Sequence, residues 1–243
     1  VIEVDTGRIL ASASKPDFNP NILSGRLSRA DARRLLEDPL KPHLDRVFRE
    51  HYFPGSTYKV VPAIVALALK KVDPDEKIQC TKIHPAGRRY PGCTHAHGKI
   101  AFHAAIVESC NIYFYTIAER VGMDNLALYA RKLGLGVPTG IGLNGEVGGF
   151  TPTKRGYADR NERFRVGFTL NTSIGQGNTK TTPIQMASLY AALANGGTLY
   201  LPQVVEQIET IDGKVIQRYT PRVRATINVS DGTLDLLRAA LKG

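Results

Sequence analysis

Few features of this sequence suit a membrane span, a disulfide scaffold or a nucleic-acid-binding protein. The longest apolar stretch, residues 60–69, is far shorter than the roughly 20 residues that cross a bilayer. The three cysteines are an odd number, so disulfides within the chain cannot account for all of them. The formal net charge of +10 comes mostly from scattered Lys and Arg residues without a nucleic-acid motif. We therefore expect no nucleic-acid partner, and a solvated basic surface that suits work beside anionic lipid or wall polymer.

The order of local patterns indicates a mixed α/β protein. Alternating runs on either side of Asp5-Thr6-Gly7 predict a hairpin at the start of the chain, and residues 204–219 predict another about Asp212-Gly213. Helical patterns cover residues 28–36, 56–71, 102–121, 126–133, 183–195 and 230–241. Because a hairpin lies near each end with helices between, we expect one antiparallel sheet flanked by helices, plus a largely helical lobe.

Ser56 and Lys59 form the first candidate site. They lie three residues apart at the start of a helical pattern, so both side chains share one face. Burial in the apolar helix would lower the pKa of the amine, and a neutral amine could take the hydroxyl proton. Free N–H groups at the helix N-terminus could bind a developing oxyanion. Taken alone, the pair also fits a capping serine and a surface lysine.

A second candidate, Ser109-Cys110-Asn111, follows within another helical region. A hydroxyl and an amide at this spacing could relay a proton and hold a substrate amide. In isolation, the triplet fits a helix with two satisfied polar groups better.

Five segments occur in a fixed order along the chain, and together they carry more information than any one alone. They are Asp5-Thr6-Gly7-Arg8-Ile9-Leu10-Ala11, Pro16-Asp17-Phe18-Asn19-Pro20-Asn21, Pro54-Gly55-Ser56-Thr57-Tyr58-Lys59, Ser109-Cys110-Asn111, and Ser173-Ile174-Gly175-Gln176-Gly177 running into Thr182-Pro183-Ile184-Gln185-Met186-Ala187. In this order they resemble the transpeptidase domain of class B penicillin-binding proteins, and the elongation-type branch in particular. The resemblance implies the penicillin-binding transpeptidase fold, which is related to that of serine β-lactamases.

The resemblance also implies a role for each matched residue. Ser56 corresponds to the acylated nucleophile and Lys59 to its general base, while Ser109 and Asn111 match the S-x-N element that handles the proton and binds the substrate amide. The glycines of the Gly175-Gln176-Gly177 segment have a structural role in a tight turn. The implied substrate is a D-Ala-D-Ala stem peptide of peptidoglycan, which acylates the serine and is then transferred to a neighbouring stem's amine. β-Lactam antibiotics mimic the donor.

One element of the family, Lys-Thr-Gly on a sheet-edge strand, is absent from residues 1–243. We therefore expect residues 1–243 to be an incomplete transpeptidase domain, with an anchor and pedestal region upstream and the Lys-Thr-Gly strand downstream. The resemblance further implies a periplasmic domain of an inner-membrane-anchored protein that acts with a membrane glycosyltransferase of the elongation machinery.

The cysteines raise the possibility of a metal site. Cys80, Cys93, His97 and Cys110 follow the spacing C-x12-C-x3-H-x12-C, and three thiolates with one imidazole suffice for a closed tetrahedral zinc site. Some elongation-type members carry zinc beside S-x-N, with a histidine thirteen residues before the middle position, as His97 lies before Cys110. His95 could replace His97. The alternatives are a Cys80–Cys93 disulfide, natural in an oxidising periplasm, and plain buried thiols.

Two other functions remain open at this point. A catalytically degenerate homologue could bind wall peptide or a partner without turnover. A β-lactamase or β-lactam sensor would use the same Ser-x-x-Lys pair, although the Ile-Gly-Gln-Gly and Thr-Pro-Ile-Gln segments favour a transpeptidase. We expect catalysis to need no cofactor and any zinc to be structural.

Overall fold

The computed structural model describes residues 1–85 and 90–243. Its α-helices are α1 (Arg29–Glu37), α2 (Val60–Ala68), α3 (Phe102–Val107), α4 (Asn111–Val121), α5 (Met123–Lys132), α6 (Lys154–Ala158), α7 (Val166–Ser173), α8 (Pro183–Ala194) and α9 (Asp231–Lys242). Its strands are β1 (Ile78–Cys80), β2 (Gly98–Ile100), β3 (Thr198–Tyr200), β4 (Gln207–Glu209), β5 (Val215–Arg218) and β6 (Val223–Thr226). Short 3₁₀ helices cover Pro20–Leu23 and Gly55–Lys59. The mixed α/β class predicted from the sequence is confirmed.

The core is built around α2, which is apolar on every side. Every residue from Val60 to Ala66 is buried, as expected for a helix without a polar face. Helix α4 packs against α2 and α7, while α5 and α9 also contact α2. The helix that directly follows Ser56 and Lys59 is therefore held from several directions.

The strands form three separate two-stranded antiparallel sheets, so the expectation of one sheet is not met in the described residues. Ile78 pairs with Ile100 in the β1–β2 sheet, β3 pairs with β6, and β4 pairs with β5 about the predicted Asp212-Gly213 turn. Each strand has only three or four residues. The hairpin predicted at the start is reduced to a single antiparallel bridge between Ile2 and Ile9.

Two predicted helices change character where the candidate residues lie. The helix expected over residues 56–71 begins as the 3₁₀ helix Gly55–Lys59, becomes α-helical at Val60 and ends at Ala68. The helix expected over residues 102–121 is divided into α3 and α4, because Ser109 adopts a φ of +51°. The region expected to be a loop, residues 136–167, contains α6 and the start of α7.

Capping residues in the sequence correctly predicted where other helices begin. Thr182 and Gln185 form a capping box at the start of α8, with Pro183 in its first turn. Ser28 and Ser230 cap α1 and α9. Within the described residues, no helix combines the length and the apolar character that a bilayer crossing requires.

Candidate active site

The turn that carries Ser56 is a 3₁₀ helix held against the Gly175 segment. In a 3₁₀ helix residues i and i+3 are eclipsed, so Ser56 and Lys59 lie on one side of the turn. Gly55 has a φ of +59°, and its N–H donates to the carbonyl of Gly175 over 3.0 Å. A Cβ on Gly175 would lie 2.3 Å from the Gly55 oxygen. Only glycine therefore permits this approach.

Lys59 lies in a buried polar network with the S-x-N residues. The residue is 4% exposed, and its Nζ donates to Ser109 Oγ over 2.8 Å, to the Ser109 carbonyl over 2.6 Å and to Asn111 Oδ1 over 2.7 Å. The same amine lies 5.4 Å from the centre of the Phe114 ring. The structure thus brings together three of the four residues predicted to be catalytic.

Burial makes Lys59 a stronger candidate base than an ordinary lysine. Loss of hydration lowers its pKa to about 8, and the nearby thiol groups of Cys93 and Cys110 partly offset this effect. At neutral pH a meaningful fraction of the amine is then unprotonated. A neutral amine can accept a proton, which an ordinary lysine with a pKa near 10.4 almost never does at this pH.

Ser56 is exposed, and its hydroxyl makes no hydrogen bond to the parts of the chain that the structure describes. An exposed, unpaired hydroxyl one turn from a buried amine is free to meet a substrate carbonyl. The hydrogen bond between nucleophile and base can form when substrate binds, since such contacts are often long without it.

The S-x-N residues owe their position to the break between α3 and α4. Ser109 occupies the left-handed region with φ +51°, which a non-glycine residue rarely adopts and which recurs at active sites. Cys110 then caps α4, where its sulfur accepts the N–H of Tyr113 over 3.4 Å. This geometry points Ser109 and Asn111 to the same amine.

A neighbouring loop fixes the orientation of Asn111, which sequence reasoning did not anticipate. Asn111 Nδ2 donates to the carbonyls of Gly92 over 2.9 Å and Pro91 over 3.2 Å. The hydroxyl of Tyr115 donates to the same Pro91 carbonyl over 2.9 Å. With both N–H groups engaged, Asn111 turns its oxygen toward Lys59. A substrate carbonyl that binds to Asn111 must therefore replace one of these loop contacts.

The three cysteines and His97 form a compact cluster directly behind Asn111. Cys93 Sγ lies 3.7 Å from Cys80 Sγ and 3.8 Å from Cys110 Sγ, while Cys80 Sγ lies 3.2 Å from His97 Nδ1. All four ligand atoms lie within 4.8 Å of one another. Two thiolates on a tetrahedral zinc with Zn–S bonds of about 2.3 Å are separated by about 3.8 Å. The donor atoms match that arrangement.

Other features of the cluster distinguish the alternatives left open by the sequence. The cysteines are free thiols, and a separation of 3.7 Å is far from the roughly 2.05 Å of a disulfide. His97 Nε2 is buried and has no hydrogen-bond partner in the described residues. The exposed His95 lies apart from the cysteines, in a second group with His97 and Glu108. The histidine that lies with the three cysteines is therefore His97 and not His95.

The surroundings of the cluster shift the pKa values of two of its thiols in opposite directions. Burial raises the pKa of Cys110 to about 12. Burial acts in the same direction on Cys80, yet hydrogen bonds from His97 and the backbone of Lys82 lower its pKa to about 7.

One more contact on the nucleophile's turn was not foreseen. The hydroxyl of Tyr190 in α8 donates to the carbonyl of Thr57 over 3.0 Å. Residues 133 positions apart along the chain carry no local signal of such a contact. Gly175 and Tyr190 together restrain the turn through its backbone.

Comparison with known proteins places the whole chain in one family. Residues 1–243 match the penicillin binding protein transpeptidase domain. The peptidoglycan D,D-transpeptidase MrdA of Acinetobacter baumannii is 33% identical over 213 residues, which cover 84% of this chain and 31% of the relative.

Solved structures agree with this assignment. The ceftriaxone acyl-enzyme complex of penicillin-binding protein A from M. tuberculosis has a TM-score of 0.83 and 27% identity, over 99% of this chain and 55% of that one. A chain from a peptidoglycan synthase complex that coordinates polymerization and crosslinking has a TM-score of 0.85 and 31% identity, over 99% and 41%. The chain spans about a third of the length of the curated relative. The family predicted from the sequence is thereby confirmed, and the chain belongs to the penicillin-binding protein transpeptidase domain family.

Proposed function

We propose that this domain is a peptidoglycan D,D-transpeptidase that cross-links stem peptides through an acyl-enzyme on Ser56. The observation that carries the proposal is the buried Lys59 amine, which contacts both Ser109 and Asn111 three residues after an exposed serine. A capping serine and a surface lysine would not give a lysine that is only 4% exposed and whose amine lies in a polar network. Proteins bury a lysine without a carboxylate partner at a cost, and such sites are often functional.

The geometry supports a two-step acyl transfer. The neutral Lys59 amine takes the Ser56 proton as the oxygen attacks the carbonyl of the penultimate D-Ala, and the C–N bond to the terminal D-Ala then breaks. Lys59, through the Ser109 hydroxyl, returns the proton to the departing amine. In the second step a neighbouring stem's amine attacks the ester, the bond to Ser56 oxygen breaks, and the amine's proton restores the hydroxyl.

The remaining parts of the assignment follow from the family. Stem peptides ending in D-Ala-D-Ala are the donor, β-lactams act as donor mimics, and Asn111 binds the donor amide once a loop carbonyl is displaced. Residues 1–243 act as part of a transpeptidase domain outside the cytoplasm, in the periplasm of a membrane-anchored protein, beside a membrane glycosyltransferase. The similarity to a chain of a peptidoglycan synthase complex supports that partner.

We also propose a structural zinc ion bound by Cys80, Cys93, His97 and Cys110. The donor set and the sulfur–sulfur distances of 3.7 and 3.8 Å support this fit, as does the partnerless buried nitrogen of His97. The ion would fix the loop that contains Cys93 against the start of α4. Catalysis itself needs no cofactor in this proposal, since Lys59 supplies the base.

The direct test is covalent labelling of the natural protein that contains residues 1–243. Incubation with a fluorescent penicillin should give one labelled peptide, with the added mass on Ser56 in tandem mass spectrometry. Slow loss of the label would favour a transpeptidase over a β-lactamase. A folded, metal-loaded protein that takes up no label, or takes it up elsewhere, would rule out this function.

Gly175→Ala should weaken both folding and acylation. The new Cβ would lie 2.3 Å from the Gly55 oxygen, 2.7 Å from the Gly55 nitrogen and 2.8 Å from Tyr58 Cβ, at a φ of +66°. Overpacking and a left-handed backbone together cost about 2–4 kcal/mol. We expect the free energy of unfolding to fall by that amount in denaturant titration, and penicillin acylation to slow as the turn shifts.

Gly142→Ala is the matched control, because Gly142 has a φ of +78° and no atom within 4 Å of its built Cβ. In this variant the free energy of unfolding should fall only by the cost of placing alanine in a left-handed backbone conformation. The rate of penicillin acylation should be unchanged. Equal effects of the two substitutions on acylation would contradict a specific contact between Gly175 and the nucleophile's turn.

A further inference from the structure

A short three-stranded ribbon of backbone bridges leads directly to the nucleophile. Tyr52 and Thr181 exchange two hydrogen bonds of 2.8 and 2.9 Å, and Phe150 and Lys180 exchange two of 2.7 and 2.9 Å. The central segment of the ribbon therefore contains Lys180 and Thr181. The first segment continues through Pro54 and Gly55 to Ser56.

The register of the ribbon places an unusual set of side chains on one face. Since Tyr52 pairs with Thr181, the next residues outward, Phe53 and Lys180, oppose each other, and Lys180 in turn opposes Phe150. The Lys180 Nζ lies 3.5 Å from the centre of the Phe53 ring. We call Phe53, Lys180 and Phe150 the acceptor face.

Packing of the chain does not account for this face. Phe53 is 49% exposed and Phe150 is 39% exposed, so neither ring is buried in the core. Exposed aromatic residues grouped on one face are a common mark of a binding surface, whereas single exposed apolar residues are ordinary. The Lys180 ammonium lies over the Phe53 ring, so the face suits a ligand that is partly apolar and partly charged.

The charge around the acceptor face is positive. Among the residues that the structure describes, no carboxylate pairs with Lys180, whose ring contact is a cation–π interaction. The Arg160 guanidinium lies 5.7 Å from the centre of the Phe150 ring and pairs with Glu162 over 3.1 Å. Residues 150–165 include five basic and two acidic residues. The complementary ligand is therefore anionic.

The acceptor face is joined to the nucleophile by a short stretch of chain. Phe53 precedes Ser56 by three residues, and Gln176 Nε2 lies 4.0 Å from a Cβ built on Gly55. The network of Lys59, Ser109 and Asn111 serves the donor. The second stem peptide, whose amine attacks the acyl ester on Ser56, must approach from another direction.

We propose that the acceptor face binds the second stem peptide, whose carboxylate pairs with Lys180 and whose aliphatic parts lie on Phe53 and Phe150. The inference rests on the proposed transpeptidase function and names the site of its other substrate. The bound peptide's amine nitrogen forms the new amide bond, the ester bond to Ser56 breaks, and the proton of the amine passes to the serine oxygen.

The test separates transfer to the acceptor from acylation by the donor. The natural protein is given a synthetic D-alanyl thioester as donor and a stem tripeptide with a free amine and free carboxylates as acceptor, and the ratio of aminolysis to hydrolysis is measured. Lys180→Glu should lower this ratio about tenfold and Phe53→Ala about threefold. The Lys180→Glu effect should largely disappear with an acceptor whose carboxylates are amidated.

Labelled penicillin provides the readout that distinguishes the two proposals. Both variants should still be acylated at Ser56, because the loss is confined to the second step. A wild-type ratio in both variants, with acylation intact, would overturn the acceptor face alone. Absence of acylation in the wild-type protein would overturn the transpeptidase function and this inference with it.

Lys214→Glu is the charge-matched control. It makes the same reversal at an exposed position in the hairpin between β4 and β5, and it should leave the ratio unchanged. An equal loss in this variant would mean that the overall charge of the protein, and not Lys180, governs the acceptor.

Discussion

Replacing Lys59 by arginine should reduce the rate of penicillin acylation by about a thousandfold, within the range measured for loss of a general base. Arginine keeps a positive charge and can still donate hydrogen bonds to Ser109 and Asn111, but it does not lose its proton in proteins. The substitution therefore separates the role of a base from that of a structural cation. Stopped-flow measurement of acylation with a fluorescent penicillin gives the rate.

The wild-type pH profile provides an independent check. Burial lowers the pKa of Lys59 to about 8, so the neutral amine increases about tenfold per pH unit below 8 and reaches a plateau above it. Acylation should follow the same curve, and Lys59→Arg should lack this inflection. A variant that is folded by circular dichroism and reacts at the wild-type rate would show that Lys59 is not the base.

Features governed by neighbouring residues were predictable from the sequence. The spacing of Ser56 and Lys59 places them on one side of a turn whether that turn is α-helical or 3₁₀, so the change of helix type does not alter this placement. The capping box of Thr182 and Gln185 was equally local. The order of five segments supplied what spacing could not, namely that Ser109 and Asn111 belong with Lys59.

Features that depend on distant parts of the chain were missed. The division of the helix over residues 102–121 at Ser109 arises from a single positive φ angle, which an apolar pattern does not encode. The contacts of Asn111 with Pro91 and Gly92 join residues about twenty positions apart through backbone carbonyls, and any residue type offers a carbonyl. The described strands form three separate two-stranded sheets and not the single sheet expected, because alternation within a segment does not encode which strands pair.

The same contacts connect the thiol cluster to the catalytic network. Cys93 belongs to the cluster, Gly92 precedes it and accepts from Asn111 over 2.9 Å, and Asn111 accepts from Lys59 over 2.7 Å. A displacement of the loop would free the Asn111 amide to rotate. The thiol cluster is therefore linked to the Lys59 amine through only two intervening residues, Gly92 and Asn111.

Cys80→Ser should abolish zinc binding at the proposed site and destabilise the domain. Cys80 lies in β1, away from the S-x-N segment in sequence, so the substitution alters one ligand and leaves Ser109 and Asn111 unchanged. A ligand present at about a thousand times its dissociation constant adds about 4 kcal/mol to the free energy of unfolding. We expect a loss of that order in denaturant titration, together with a fall from one zinc per chain to less than a tenth by elemental analysis.

His95→Ala tests whether the loss is specific to the cluster. His95 is exposed and its ring centre lies 4.4 Å from that of His97, but it is outside the group formed with the three cysteines. This variant should therefore retain one zinc and its stability, while Cys80→Ser should also acylate more slowly because Asn111 is no longer held. Full zinc content in Cys80→Ser, or loss of zinc in His95→Ala, would contradict the ligand set. A closed tetrahedral site needs all four of its ligands and no fifth residue.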